Sequence, residues 1–253
     1  MISSSLEKNL KVLKEKTVLE FNSIFSKKKF SDSLQTQKKE DASPVTIIDT
    51  FVSNLVKDML INDGNYKDYS YLSEEDKHTF SYPCIILDPI DGTKELTKGY
   101  PECSISLAIM PSKSVDMGTG WIFNPFNGFE ISSLTPFCIS PKFSRKPLLG
   151  YVSRTEWNKN LYEDVCDPNI ILKPIGSVAY KIGLLAAGAC DFVITREPKS
   201  IWDIAAGTIL CKKRGIHLYQ KDKIITNFDQ IRYQNPLLWC KKKHFQYLKK
   251  VFY

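Results

Sequence analysis

The stretch LDPIDGT, Leu87 to Thr93, closes an apolar run with two carboxylates three residues apart, then a glycine and a hydroxyl. Carboxylates at a strand end are hard oxygen donors, the ligands Mg²⁺ takes in octahedral geometry while keeping several waters. Gly92 permits close backbone approach, and the amides of Gly92, Thr93 and Lys94 could face an anion. The loop thus offers both cation ligands and an anion cradle.

Two carboxylates alone make a weak magnesium site, so further acids must come from elsewhere. Glu74 and Glu75 in YLSEED and Asp203 in SIWDIAAG stand at expected element boundaries. Each also has a plainer reading: Asp203 as the cap of a helix starting at Ile204, Asp49 as the acid of a capping box with Thr46, SEED as a solvated turn. The chain lacks GxxxxGK[ST], HExxH and GxSxG, and its three histidines are His78, His217 and His244. Carboxylate-rich, magnesium-assisted hydrolysis is therefore the economical reading.

The elements that must position these residues follow from periodicity. Leu6, Leu10, Leu13, Thr17, Phe21 and Ile24 recur at three and four, which predicts an amphipathic helix broken over 26–42. Val52, Leu55, Val56, Met59 and Leu60 predict a second helix, opened by Thr46 and Asp49 and ending near Gly64. CIILD and SISLAIM predict buried strands, and GTGWIF, NPFNG and FEISS a hairpin. PFCISPKFSRKP (136–147) is the expected crossing between lobes at 1–140 and 141–253. Beyond it LLGYVS, NIILKP, DFVIT and IHLY read as strands, while SVAYKIGLLAAG and DIAAGTILCKKRG read as helices, the second stopped at Gly215.

A chain of 253 residues with 43% apolar content can bury a substantial core. Its seven cysteines form no CxxC pair and read as reduced thiols of a cytoplasmic protein. The N-terminus is charged from Glu7 onward, unlike a secretory signal, and no stretch approaches the roughly 18 apolar residues of a membrane span. The stretch KKKHFQYLKK holds five lysines, without which the net charge falls from +7 to about +2. That charge, with KKK at 27–29, reads as solvated rather than as a nucleic-acid surface.

Taken together, DASPVTIID (41–49), LSEED (72–76), LDPIDGTKEL (87–96), GSVAYKIGLLAAG (176–188) and IWDIAAG (201–207) resemble a known family, in its order. That family is the magnesium-dependent, lithium-sensitive phosphatase superfamily of inositol monophosphatases and 3′(2′),5′-bisphosphate nucleotidases. The resemblance implies an α+β fold, a layered αβαβα sandwich of the sugar-phosphatase type with the active site between two lobes. It implies Glu74, Asp88, Asp91, Asp203 and the carbonyl of Ile90 as ligands of two or three Mg²⁺ ions. Thr93 and Asp49 would orient and deprotonate the attacking water, and the amides of Gly92 and Thr93 would take phosphate oxygens.

Within the superfamily, Lys-Glu after DGT and the SPVT segment are closer to the nucleotidase branch, since the inositol branch favours Thr-Asn. Arg196 resembles an arginine that meets the nucleotide 5′-phosphate, a task suited to its planar fork. Ser177, Lys181 and Arg154 resemble further nucleotide contacts. SRTE stands where SRSH is usual, which puts Glu156 where it repels phosphate unless it turns away. The expected reaction is hydrolysis of adenosine 3′,5′-bisphosphate to AMP and phosphate, with a small phosphorylated nucleotide as partner. Inositol monophosphate or a sugar phosphate are the alternatives within the superfamily. From another class, the alternative is a non-catalytic nucleic-acid or anion-binding protein.

Overall fold

A computed structural model of the chain describes residues 2–25, 36–38, 44–62, 64–75, 81–135, 146–234 and 236–253. The expected crossing at 136–147 lies outside the described residues except for 146 and 147, and so do KKK at 27–29 and His78. The N-terminal half opens with α1 (Ile2–Phe25), the antiparallel pair β1 (Thr36–Lys38) and β2 (Pro44–Thr46), and α2 (Ile47–Val56). A π-helical segment, Lys57–Asn62, prolongs α2 towards Gly64. Five strands then form one sheet: β3 (Ser70–Ser73), β4 (Cys84–Asp91), β5 (Ser104–Met110), β6 (Thr119–Phe123) and β7 (Glu130–Ser132), neighbours in that order. Only the β3 and β4 pairing is parallel, and α3 (Thr93–Thr97) follows β4 directly.

β4 is a continuous apolar run because both its faces are covered. Ile85 and Leu87 pack with Leu10, Val52 and Val56 of the first two helices. Cys84 and Ile86 face the opposite way, towards a layer made by α5 (Val178–Ala186) and α6 (Ile201–Lys212). That layer also packs on a six-stranded sheet. In chain order its strands are β8 (Leu148–Ser153), β9 (Ile170–Ile175), β10 (Phe192–Thr195), β12 (Ile216–Gln220), β13 (Lys223–Ile224) and β15 (Leu237–Lys241). The spatial order is β13-β12-β15-β10-β8-β9. Helix α4 (Arg154–Asn158) follows β8, and the two-residue strands β11 (Lys199–Ser200) and β14 (Arg232–Tyr233) pair beside α6. Helix α7 (Lys242–Phe252) covers the outer face, with Phe245, Leu248 and Phe252 against Phe192, Leu238 and Cys240. The layers are thus α, β, α, β, α, the sandwich expected from the sequence.

The lysine charge of KKKHFQYLKK is solvated as expected, with Lys241, Lys242, Lys243 and Lys250 exposed, while the apolar residues of the same stretch, at spacings of three and four, face the sheet. One expectation is corrected. Helix α6 begins at Ile201, not Ile204, since Ser200 is its N-cap. Among the described residues no helix is long and apolar enough to cross a membrane.

Candidate active site

Side chains alternate along a strand, so residues three apart ordinarily face opposite sides. Asp88 and Asp91 share a side because β4 carries one extra residue between them: Asp88 pairs with Ser106 and Asp91 with Ser104. Ile90 stays in the core under α1 and α2, while both carboxylates turn towards α5 and α6. Pro89, which has no amide to donate, suits the interrupted ladder.

Other elements bring further acids to the same place. The Ser200 amide donates to Asp203 Oδ2 at 2.8 Å, which makes Asp203 the third residue of a capping box. Capping engages one of its oxygens, and Asp88, Asp91 and Asp203 each present an oxygen within 4.8 Å of the others. Glu74 follows β3, its amide donating to the Leu87 carbonyl at 3.3 Å, so it stands beside Asp88. Asp49, buried in the first turn of α2, adds its charge to the group. Asp91 is oriented by the Ser177 hydroxyl at 2.6 Å and by the Ala179 amide.

The cluster is electrostatically uncomfortable. Asp88 is 1% exposed, and its Oδ1 has no hydrogen-bond partner. Burial first, then repulsion from Glu74, Asp91, Asp203 and Asp49, lifts its pKa well above the carboxylate range. Burial followed by Asp91 and Glu74 pushes Asp203 up to about 7. Asp91 is also raised by burial, against opposition from Ser177, Lys181, Ala179 and Lys199. A buried and two half-buried acids that repel one another, with an orphaned oxygen on Asp88 beside a cleft of about 250 Å³, are the donor set a hard divalent cation relieves. The residues therefore fit Mg²⁺.

Gly92 lies at φ +98°, and a Cβ there would come 2.7 Å from the Glu102 carbonyl oxygen and 3.1 Å from Ser177 Cβ. Ile90, Gly92 and Thr93 line the cleft, where the Thr93 hydroxyl donates to the Ile90 carbonyl at 2.9 Å. Ser177 and Lys181 also line it, but as supports. Lys181 is 1% exposed and spends its ammonium on the Ile175 and Ser177 carbonyls, both at 2.9 Å. Burial lowers its pKa to about 8. Arg154 bonds Glu102 Oε1 at 2.6 Å and lies 4.9 Å over the Tyr100 ring. Arg196 opens on a separate crevice with Phe252 and Tyr253, where it bonds Asp164 at 2.7 and 3.1 Å.

Glu156 turns away from the cleft. It is fully buried and accepts from the Thr195 hydroxyl at 2.6 Å, the Arg196 amide at 2.9 Å, the Glu197 amide at 3.1 Å and the Tyr162 hydroxyl. Burial alone would raise its pKa, but Lys199 and these donors hold it below the ordinary value. Sequence reasoning missed Lys199, which lines the cleft with its ammonium 3.2 Å from Glu156. Nothing in KSIWD marks it, because its placement depends on the fold of 195–199 around a residue 43 positions earlier.

Residues 9–135 match the model of the inositol monophosphatase family. The chain is 26% identical over 207 residues to Nus factor SuhB of Pasteurella multocida, spanning 73% of this chain and 74% of that protein. It is also 26% identical over 204 residues to the 3′(2′),5′-bisphosphate nucleotidase CysQ of Salmonella typhimurium, spanning 74% and 80%. In fold it is similar to an IMPase of Thermotoga maritima, with a TM-score of 0.76 at 22% identity over 98% of this chain and 96% of that one. The matched segment carries Asp49, Glu74 and the whole DPIDGT motif, and the fold places Asp203 opposite them. The chain belongs to the inositol monophosphatase family, a family of metal-dependent phosphatases.

Proposed function

We propose that this phosphatase is a magnesium-dependent 3′(2′),5′-bisphosphate nucleotidase that converts adenosine 3′,5′-bisphosphate to AMP and phosphate. The observation that carries the metal chemistry is the gathering of Asp88, Asp91 and Asp203, each with an oxygen within 4.8 Å of the others, with Asp88 Oδ1 unpartnered. The nucleotide reading is supported by DGTKEL and by the likeness to a protein named as a bisphosphate nucleotidase. Asp88, Asp91, Asp203, Glu74 and the Ile90 carbonyl would hold two or three ions, which would supply phosphoryl polarisation, a more acidic water and neutralisation of the leaving oxygen.

The chain's own residues prepare the reaction. Ser177 and Ala179 fix Asp91, and the Ser200 amide fixes Asp203, so little reorganisation is needed as charge develops. The Gly92 and Thr93 amides are assigned to the phosphate oxygens. Thr93 and Asp49 are assigned to orienting and deprotonating the water: the Thr93 hydroxyl would turn from the Ile90 carbonyl to give its proton to Asp49, and the Thr93 oxygen would take a proton from the water. The water oxygen adds to phosphorus as the bond to the ribose oxygen breaks, and that oxygen takes up a proton from solvent to become the hydroxyl of AMP, without a covalent enzyme intermediate.

Phosphate release from adenosine 3′,5′-bisphosphate and from inositol 1-phosphate, each with and without Mg²⁺, tests this. Faster release from the nucleotide, abolished by EDTA and restored by Mg²⁺, is expected. Release that survives chelation would reject the metal chemistry. Preference for inositol 1-phosphate would favour the second reading, an inositol or sugar phosphatase, which the position of Arg196 outside the cleft supports.

A further inference from the structure

We infer that Lys199 receives a second anionic group carried by the leaving portion of the substrate, and so sets a preference for bisphosphates over monophosphates. This rests on the hydrolase reading above. The other cations near the cleft are committed elsewhere or stand outside. Lys181 holds two carbonyls, Arg154 holds Glu102, and Arg196 meets Asp164 in another crevice. Lys94 is exposed, so its long side chain loses more freedom on binding than one already held.

Lys199 is held. Its backbone pairs with Tyr233 through β11 and β14, its side chain is 11% exposed, and among the described residues its ammonium makes a single hydrogen bond, to Glu156 Oε1 at 3.2 Å. A carboxylate offers about four acceptor positions. Glu156 fills them with the hydroxyls of Thr195 and Tyr162 and the amides of Arg196 and Glu197, so Lys199 is the fifth and longest contact. The ammonium can therefore present its remaining donors to a ligand while keeping its contact with Glu156. Its charge is felt by both Asp91 and Asp203, which sets it near the reacting end, where a recessed cation is weakly screened by salt. A compact ammonium is a suitable partner for a phosphate met from one side.

The test compares kcat/KM for two pairs: adenosine 3′,5′-bisphosphate with adenosine 3′-monophosphate, and glucose 1,6-bisphosphate with glucose 1-phosphate. Lys199→Met is expected to shrink the bisphosphate preference at least tenfold, mainly through KM, and Lys199→Arg to keep it within threefold. Should Lys199→Met not fold, Lys199→Gln, which keeps a donor for Glu156, reads the same ratio. An unchanged ratio, a collapse confined to Arg196→Met, or a wild type indifferent to the second phosphate in both pairs would overturn the inference. Turnover of the sugar pair alone would remove the nucleotide reading while Lys199 is still tested on sugars.

Discussion

The acidic and cationic walls of the cleft differ in how well their charges are satisfied. On one wall Asp88, Asp91 and Asp203 crowd together, burial and mutual repulsion raise their pKa values, and one oxygen has no partner. On the other, Glu156 is surrounded by five donors and sits below the ordinary carboxylate range. The first wall carries stored repulsion that a cation can relieve, and the second is a finished support. Removing a charge should thus help stability on one wall and harm it on the other.

The largest expected effect is at Asp88. Asp88→Asn should lower kcat/KM by about 10²- to 10³-fold, the scale of losing one electrostatic group at a reacting centre. In EDTA the same variant should melt higher, by about 2–4 °C for each kcal/mol of repulsion relieved. A lower melting temperature would break the contrast between the walls. Glu156→Ala should do the reverse and destabilise by about 3–5 kcal/mol, because a buried charge partner is lost and two amides and two hydroxyls are left unpaired. Urea unfolding measures this, and an unchanged midpoint would show that the support is dispensable.

Acidity sharpens the same difference. Asp203 has an ordinary value of 3.8 and a folded value of about 7, so the folded chain holds the extra proton between those limits. Its contribution to stability is fully present below about pH 4 and is lost as pH rises through 7. Calorimetry in EDTA should show that slope in wild type and a shallower one in Asp203→Asn, with Mg²⁺ raising the melting temperature of wild type more than that of the variant at pH 7.5. Glu156, whose value is depressed, should instead lose its contribution as pH falls below its ordinary 4.5. The smallest effect is expected for Gly92→Ala, which costs about 1–2 kcal/mol in backbone strain and pushes the turn off Glu102. It should lower kcat more than it lowers the melting temperature.

The acidic wall was largely legible in the sequence, and the cationic wall was not. An apolar run ending in DPIDGT announces a strand end with hard donors, and Asp203 stands at a helix start, so both signals are local. The bulge that puts Asp88 and Asp91 on one side depends on pairing with Ser104 and Ser106, a register no short window contains. Lys199 and Glu156 meet only after α4, β10 and β11 are assembled. Helix α7 was obscured for another reason: its lysines dominate composition, while the three residues that dock it, Phe245, Leu248 and Phe252, are few.

Convergence of oxygen donors from β4, α6 and the turn after β3 around a divalent cation is tested most directly by titrating Mg²⁺ into metal-free wild type and Asp88→Asn by calorimetry at pH 7.5. Saturable binding in wild type that weakens at least tenfold in Asp88→Asn is the expected result. Equal affinity in the two proteins, or no binding to wild type, would contradict it.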